Sequence, residues 1–397
     1  MTLIKNLKLS IHSDDVSLDI YRLPDIICNL CLYAFFALTL VIFLYSYNHA
    51  LFLTRIGFMA LGALLSFWWC LTKTKQYSKP LLLTFFVSIC WIYCVIWQPA
   101  TNYPLKDLVY TLCYLWLSLL LIKGDYSHSA TVLIFFMGIG LMLLRIYQGA
   151  SFGSHQGLLL ANSRNYISVL VLLFVLFYYI SCHDKNREIS ILPAVVFFVI
   201  SILAVGRGGI LTSSFLLLSL MSYQYNKIED SRKKFFFKGV FIVTGILLAM
   251  GLIFITGIIT GAFQQYSEAL FSRFYEQGGV DESRLVIWSK FLLNNMNSFA
   301  EFLFGSDSRL ARYDGNLHSS FFQIYASLGL IGFITYIFLI IKAYVQGIRN
   351  KDILWLILFS TLLLRASTDR VFFQGYCEIF FYYFIFYWEF RREDTAV

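Results

Sequence analysis

The sequence predicts an all-α protein, a single polytopic membrane domain over residues 1–397 with about twelve transmembrane helices. Three observations predict it. Hydrophobic residues make up 59% of the chain and charged residues 14%, with mean hydropathy +0.70, far from soluble globular composition. The apolar residues gather into stretches of roughly 17 to 24, the length that crosses a bilayer as a helix. Finally, lysine and arginine segregate to loops of opposite parity once those stretches are drawn.

The elements follow in order. The first twenty residues are polar and acidic (Asp14, Asp15, Asp19), unlike a cleavable signal. Spans are expected at 25–45, 50–72, 80–98, 104–122 and 130–148. A sixth, 165–182, opens after Asn162-Ser163-Arg164-Asn165, and the next two, 189–205 and 208–225, meet at Gly206-Arg207-Gly208-Gly209. After 237–260 comes the one long loop, 261–318, then spans at 319–341, 353–364 and 371–390. Within that loop Asp281 is expected to cap a helix from Glu282 to about Phe304, with Leu285, Trp288, Leu292, Phe299 and Phe302 at near-helical spacing. Such a helix lies in the membrane interface with its apolar face down.

Lysines 5, 8, 73, 75, 79, 123, 185, 227, 233, 234, 238, 342 and 351 share one loop parity, which the positive-inside rule makes cytoplasmic, with both termini. The opposite side holds Arg164, Arg207, Arg273, Arg284, Arg309, Arg312, Arg365 and Arg370, with only Lys106 and Lys290 beside them. Guanidinium stays charged and grips phosphate or pyrophosphate bidentately, so that face suits a phosphorylated ligand at the membrane surface. The net charge of +8 reads as topology and lipid contact, not nucleic-acid binding. The cysteines all sit inside spans. Cys28 and Cys31 form a C-x-x-C with no second pair, which reads as small apolar helix residues.

Several residues on the arginine side carry chemistry. An arginine at 207 between two spans must face protein, water or an anion, and the glycines beside it let backbone approach a ligand near a helix start. Arg284 and Trp288 are four apart on one helix face; they line a headgroup pocket, or belong to a lid whose arginine snorkels. His318, in Asn316-Leu317-His318-Ser319-Ser320, titrates near neutrality and suits proton transfer from a hydroxyl, although a lone interfacial histidine also serves structure. Arg164, and Arg365 with Asp369 and Arg370, complete the cluster; Asp369 is placed to pair with an arginine. Glu268, Glu276, Asp281, Glu282, Glu301, Asp307 and Asp314 are the acidic candidates for a general base, and the remaining histidines have no metal-ligand spacing.

The segment HSSFFQIYASLGLIGF, from His318 to Phe333, resembles the hallmark of the O-antigen polymerase and O-antigen ligase superfamily: His318, Ser319, nine residues, Gly329, two residues, Gly332. Arg284-x-x-x-Trp288 is similar to the Arg-x-x-x-Trp of that family's long periplasmic loop. LAVGRGGIL, around Arg207, resembles its Ser/Thr-Arg-Gly/Ala element, with Gly206 in place of the hydroxyl residue. The likeness covers the C-terminal half. It implies a GT-C-like, lipid-dependent glycosyltransferase of a Gram-negative inner membrane, needing no metal, nucleotide or other cofactor. Its donor is a glycan on undecaprenyl pyrophosphate, with a flippase and a chain-length regulator of the same pathway as possible partners. Arg207 and Arg284 carry over as pyrophosphate-binding residues and His318 as the group that positions or deprotonates the acceptor. Trp288 joins Arg284 as a substrate-binding residue, and Arg164 and Arg365 are added from topology. The reading favours the polymerase over the ligase, which would transfer the glycan to lipid A-core. A flippase or transporter stays open as a third class, disfavoured because the charges gather at one face rather than at mid-membrane.

Overall fold

The computed structural model describes residues 23–44, 49–72, 77–97, 105–124, 126–148, 165–204, 206–227, 282–293, 298–306, 317–373 and 375–394. For residues 23, 24, 105–108, 146, 282–286, 293 and 392–394 it describes the backbone alone. All elements among them are helical: α1 Leu23–Leu44, α2 His49–Thr72, α3 Ser78–Ile96, α4 Leu105–Lys123, α5 His128–Tyr147, α6 Asn165–Asp184, α7 Leu192–Leu203 and α8 Arg207–Lys227. They continue as α9 Glu282–Leu293, α10 Phe299–Phe304, α11 Ser320–Arg349, α12 Ile353–Thr368 and α13 Glu378–Asp394. Six of these, α1, α2, α3, α5, α6 and α11, are long and apolar enough to cross a membrane. The expected span 237–260 lies outside the described residues.

Hydrophobicity on every face puts a helix at the centre of a bundle, and hydrophobicity around an exposed face leaves it for lipid. In α6 every residue from Ile167 to Cys182 is buried, and in α13 burial runs from Glu378 to Tyr387. Around these two, α1, α2 and α4 form one group and α7, α8 and α12 another. By contrast α3 and α5 turn Leu82, Phe86, Ile89, Leu133 and Phe136 outward. Rings fill the interior. Phe36 stacks on Phe177 at 4.1 Å, and Phe372 on Phe381 at 4.3 Å. Such pairs contribute about 0.5–1.5 kcal/mol each beyond area burial, which matters where lipid removes the ordinary hydrophobic drive between helices.

Four expectations change. The span 189–205 is a 12-residue helix, α7, opened by Pro193 and closed at Ala204; at 1.5 Å per residue it covers about 18 Å, short of the ~30 Å hydrocarbon core. The loop helix 282–304 is two helices, because Ser298 caps α10 by accepting from the Glu301 amide at 3.1 Å; the expected cap Asp281 lies outside the described residues. Span 319–341 continues to Arg349, since Lys342 and Gln346 both reach Glu389 of α13, the lysine at 3.0 Å. Span 371–390 starts late: Val371, Phe372 and Phe373 form a buried turn before α13, Phe373 at φ +58°.

Polar contacts define two ends. At the lysine end Lys123 pairs with Asp25 and lies over the Trp69 ring at 5.4 Å, while Lys185 donates to the Gly124 carbonyl. Asp184, shut from solvent, accepts from Tyr126 at 2.7 Å and Tyr383 at 2.8 Å; His183 bridges it, at 3.1 Å, to Asp352 at 2.6 Å. Burial, and then the Asp184 carboxylate, push the Tyr126 hydroxyl well above its ordinary range, so it stays a donor. At the other end, Tyr376 before α13 packs its ring on Phe43 at the end of α1 and on Tyr166 at the start of α6. Arg365 and His318 stand at this arginine end.

Candidate functional site

Arg365 closes α12 where the first turns of α6 and α8 converge. It is 1% exposed. Its Nη2 donates to the Asn165 carbonyl at 3.0 Å, Ser168 Oγ at 3.3 Å and Asp369 Oδ2 at 3.2 Å, and its Nη1 to Thr368 Oγ1 at 3.0 Å. A guanidinium this deep needs its charge met and its donors placed; Asp369 meets the charge, and Asp369, Thr368 and the start of α6 take the Nη donors. Gly208 is what lets α8 come so close. A Cβ there would lie 2.6 Å from Arg365 Nη1, and one on Gly209 2.5 Å from Ser168 Oγ. The two glycines after Arg207 therefore serve helix packing. Arg207 itself opens α8, half-buried, on the turn that abuts Arg365.

The same joint anchors His318. Asp369 accepts, at its carbonyl, from the Ser320 amide at 3.2 Å and hydroxyl at 3.1 Å, and Ser320 Oγ accepts from the Val371 and Phe372 amides at 2.8 and 3.2 Å. Ser320 is thereby fastened on both sides at the first turn of α11. His318, two residues earlier, is half-buried and sits at φ +52°, a left-handed conformation that costs a non-glycine residue on the order of 1 kcal/mol. Trp288 of α9 donates Nε1–H to the adjoining Leu317 carbonyl at 2.7 Å, and its ring lies 5.3 Å from that of Phe322. Phe291 of α9 lies against Phe322 and Tyr325. Hence the loop helix rests on the first turns of α11, with Trp288 next to His318.

Of the predicted residues, Trp288, His318, Arg365 and the helix start at Arg207 belong to one connected set running Gly208, Arg365, Asp369, Ser320, Leu317 and Trp288. Arg284 is in the first turn of α9, and its side chain lies outside the described residues, as does Arg164 altogether. Asn165, Ser168 and Thr368 were not foreseen; nothing in their own sequence neighbourhoods distinguishes them.

The motif glycine Gly329 interrupts α11 at φ +64°, ψ −164°. There α10 meets α11 backbone to backbone: a Cβ on Gly329 would sit 2.3 Å from the Leu303 carbonyl, one on Gly305 2.5 Å from Ser327 C, and the Ser306 amide donates to Ala326 O at 2.8 Å. This contact fixes the loop to the half-helix that carries His318. Compared with known proteins, the chain matches no family model, and no curated protein is detectably similar in sequence.

Proposed function

We propose that the chain is an O-antigen polymerase-type glycosyltransferase, joining undecaprenyl-pyrophosphate-linked oligosaccharide repeat units at the periplasmic face of a Gram-negative inner membrane. In this reading the bundle has about twelve crossings of GT-C-like character, both termini are cytoplasmic, and the arginine end faces the periplasm. One observation carries the reading. The three motif elements, distant in sequence, meet at one end through the Arg365–Asp369–Ser320 joint and the Trp288–Leu317 bond.

The acceptor hydroxyl attacks the anomeric carbon of the donor glycan as the bond from that carbon to the pyrophosphate oxygen breaks. His318 holds the hydroxyl and takes its proton. Arg207 and Arg284 receive the charge that develops on the departing undecaprenyl pyrophosphate, fixed donors placed where charge grows. Arg365, its Nη donors engaged by protein, holds α6, α8 and α12 in register rather than binding donor. A second reading, ligase, draws on the intact His318-Ser319-x9-Gly329-x2-Gly332 spacing.

Purified protein given lipid-linked repeat units is expected to make longer glycans, and Arg207→Ala, Arg284→Ala and His318→Ala each to abolish this. Full activity of Arg207→Ala removes the pyrophosphate clamp. In a deletion strain, core bearing a single repeat supports polymerase, whereas bare core with accumulated lipid-linked polymer supports ligase.

A further inference from the structure

Arg55 lies six residues into α2, about 9 Å along the axis from His49, at the same end of the bundle as Arg365. It is 9% exposed. Its guanidinium stands over the Phe35 ring at 5.5 Å and the Phe52 ring at 5.7 Å, and its buried Nε has no hydrogen-bond partner. Among the described residues it makes no ion pair. The Tyr114 ring packs on the other partner of this cluster, Phe35, at 5.8 Å. The buried carboxylate of Glu378 makes no ion pair with Arg55 and accepts from Tyr382 at 2.9 Å.

An arginine buried among apolar helices is costly unless an anion answers it, and two aromatic faces recover only part of that cost. At this depth, just inside a helix end, the anion at hand is the phosphate of a lipid headgroup. We propose that Arg55 binds the phosphate of a membrane lipid between α1, α2 and α4. The site belongs to a different helix group from Arg207 and Arg365 and does not depend on the glycosyl-transfer reading. Phosphate oxygens take the guanidinium fork, and the rings flank it.

The test is binding to the full-length protein in lipid-depleted detergent micelles, with phosphatidylglycerol in one arm and inorganic pyrophosphate in the other, followed by native mass spectrometry and melting temperature. Phosphatidylglycerol is expected to bind and raise the melting temperature, with affinity lowered about tenfold or more in Arg55→Met and less in Arg55→Lys. Without lipid, Arg55→Met is expected to melt no lower than the parent, because it removes an unanswered buried charge. Equal lipid binding by Arg55→Met overturns the site. So does a lipid-free Arg55→Met that melts lower by as much as lipid raises the parent, since the guanidinium would then be structural. Binding of pyrophosphate with none of phosphatidylglycerol overturns the assignment to lipid.

Discussion

Replacing Gly329 by alanine places a methyl group where two backbones touch. The added Cβ would stand 2.3 Å from the Leu303 carbonyl oxygen and 2.4 Å from the Gly305 nitrogen, against ordinary contact beginning at 3.4 Å, so the segments must part by about an ångström. Overpacking of this kind costs roughly 1–3 kcal/mol. The conformation adds to it: φ +64°, ψ −164° is a region essentially reserved for glycine, and any other residue there costs roughly 1–3 kcal/mol. The overlap, about 1–3 kcal/mol, falls on the docking of α10, because lifting α10 away relieves it without opening the helix core, whereas the backbone cost stays in α11. The Ser306 amide, bonded to Ala326 O in the docked state, reports it. Hydrogen exchange of the full-length protein in nanodiscs is expected to speed up at residues 298–306 by about fivefold or more, at 1.36 kcal/mol per factor of ten. Gly57→Ala is the control, since its Cβ would meet nothing within 4 Å. Unchanged protection of Ser306 in a folded Gly329→Ala protein would refute the idea that this glycine pair fastens the loop to α11.

Three further outcomes follow from named contacts. Arg365→Ala leaves the Asp369 carboxylate buried without its cation and is expected to cost about 3–5 kcal/mol, with Arg365→Ala/Asp369→Ala costing clearly less than the sum of the single changes in thermal melting. Trp288→Phe keeps the ring against Phe322 and loses the bond to Leu317 O; about 1 kcal/mol of local protection should disappear at residues 317–323, read by exchange. Asp352→Ala removes both the cap on the Trp355 amide, 3.0 Å away, and the partner of His183; melting should report about 2–4 kcal/mol, and Asp352→Asn, which can still cap, less.

Much of this protein could be read from hydropathy and charge. Helix positions follow from apolar stretches, because a chain in lipid must satisfy its own backbone, and α1 to α6 begin and end within a few residues of their predicted bounds. The two ends do have different partners, Lys123 and Lys185 at one and Arg365 at the other, but the separation of lysine from arginine is incomplete, since Arg391 reaches Gly124 at the lysine end. Local pattern offered Asp369, four residues on, as an arginine partner, and that pair forms; it carried no information about Asn165 and Ser168, which lie about 200 residues away and look like any polar helix start. Nor did local pattern show that Gly208, Gly209 and Gly329 sit at close helix contacts. A glycine announces that something comes close, and only tertiary contact says whether that is a ligand, an arginine or another backbone. Arg55 is a further case: only packing against Phe35 and Phe52 places its guanidinium inside the bundle, with no acid paired to it among the described residues. Periodicity decided where helices form because that depends on neighbours along the chain; which polar groups face each other depends on helix packing, which no single stretch of sequence contains.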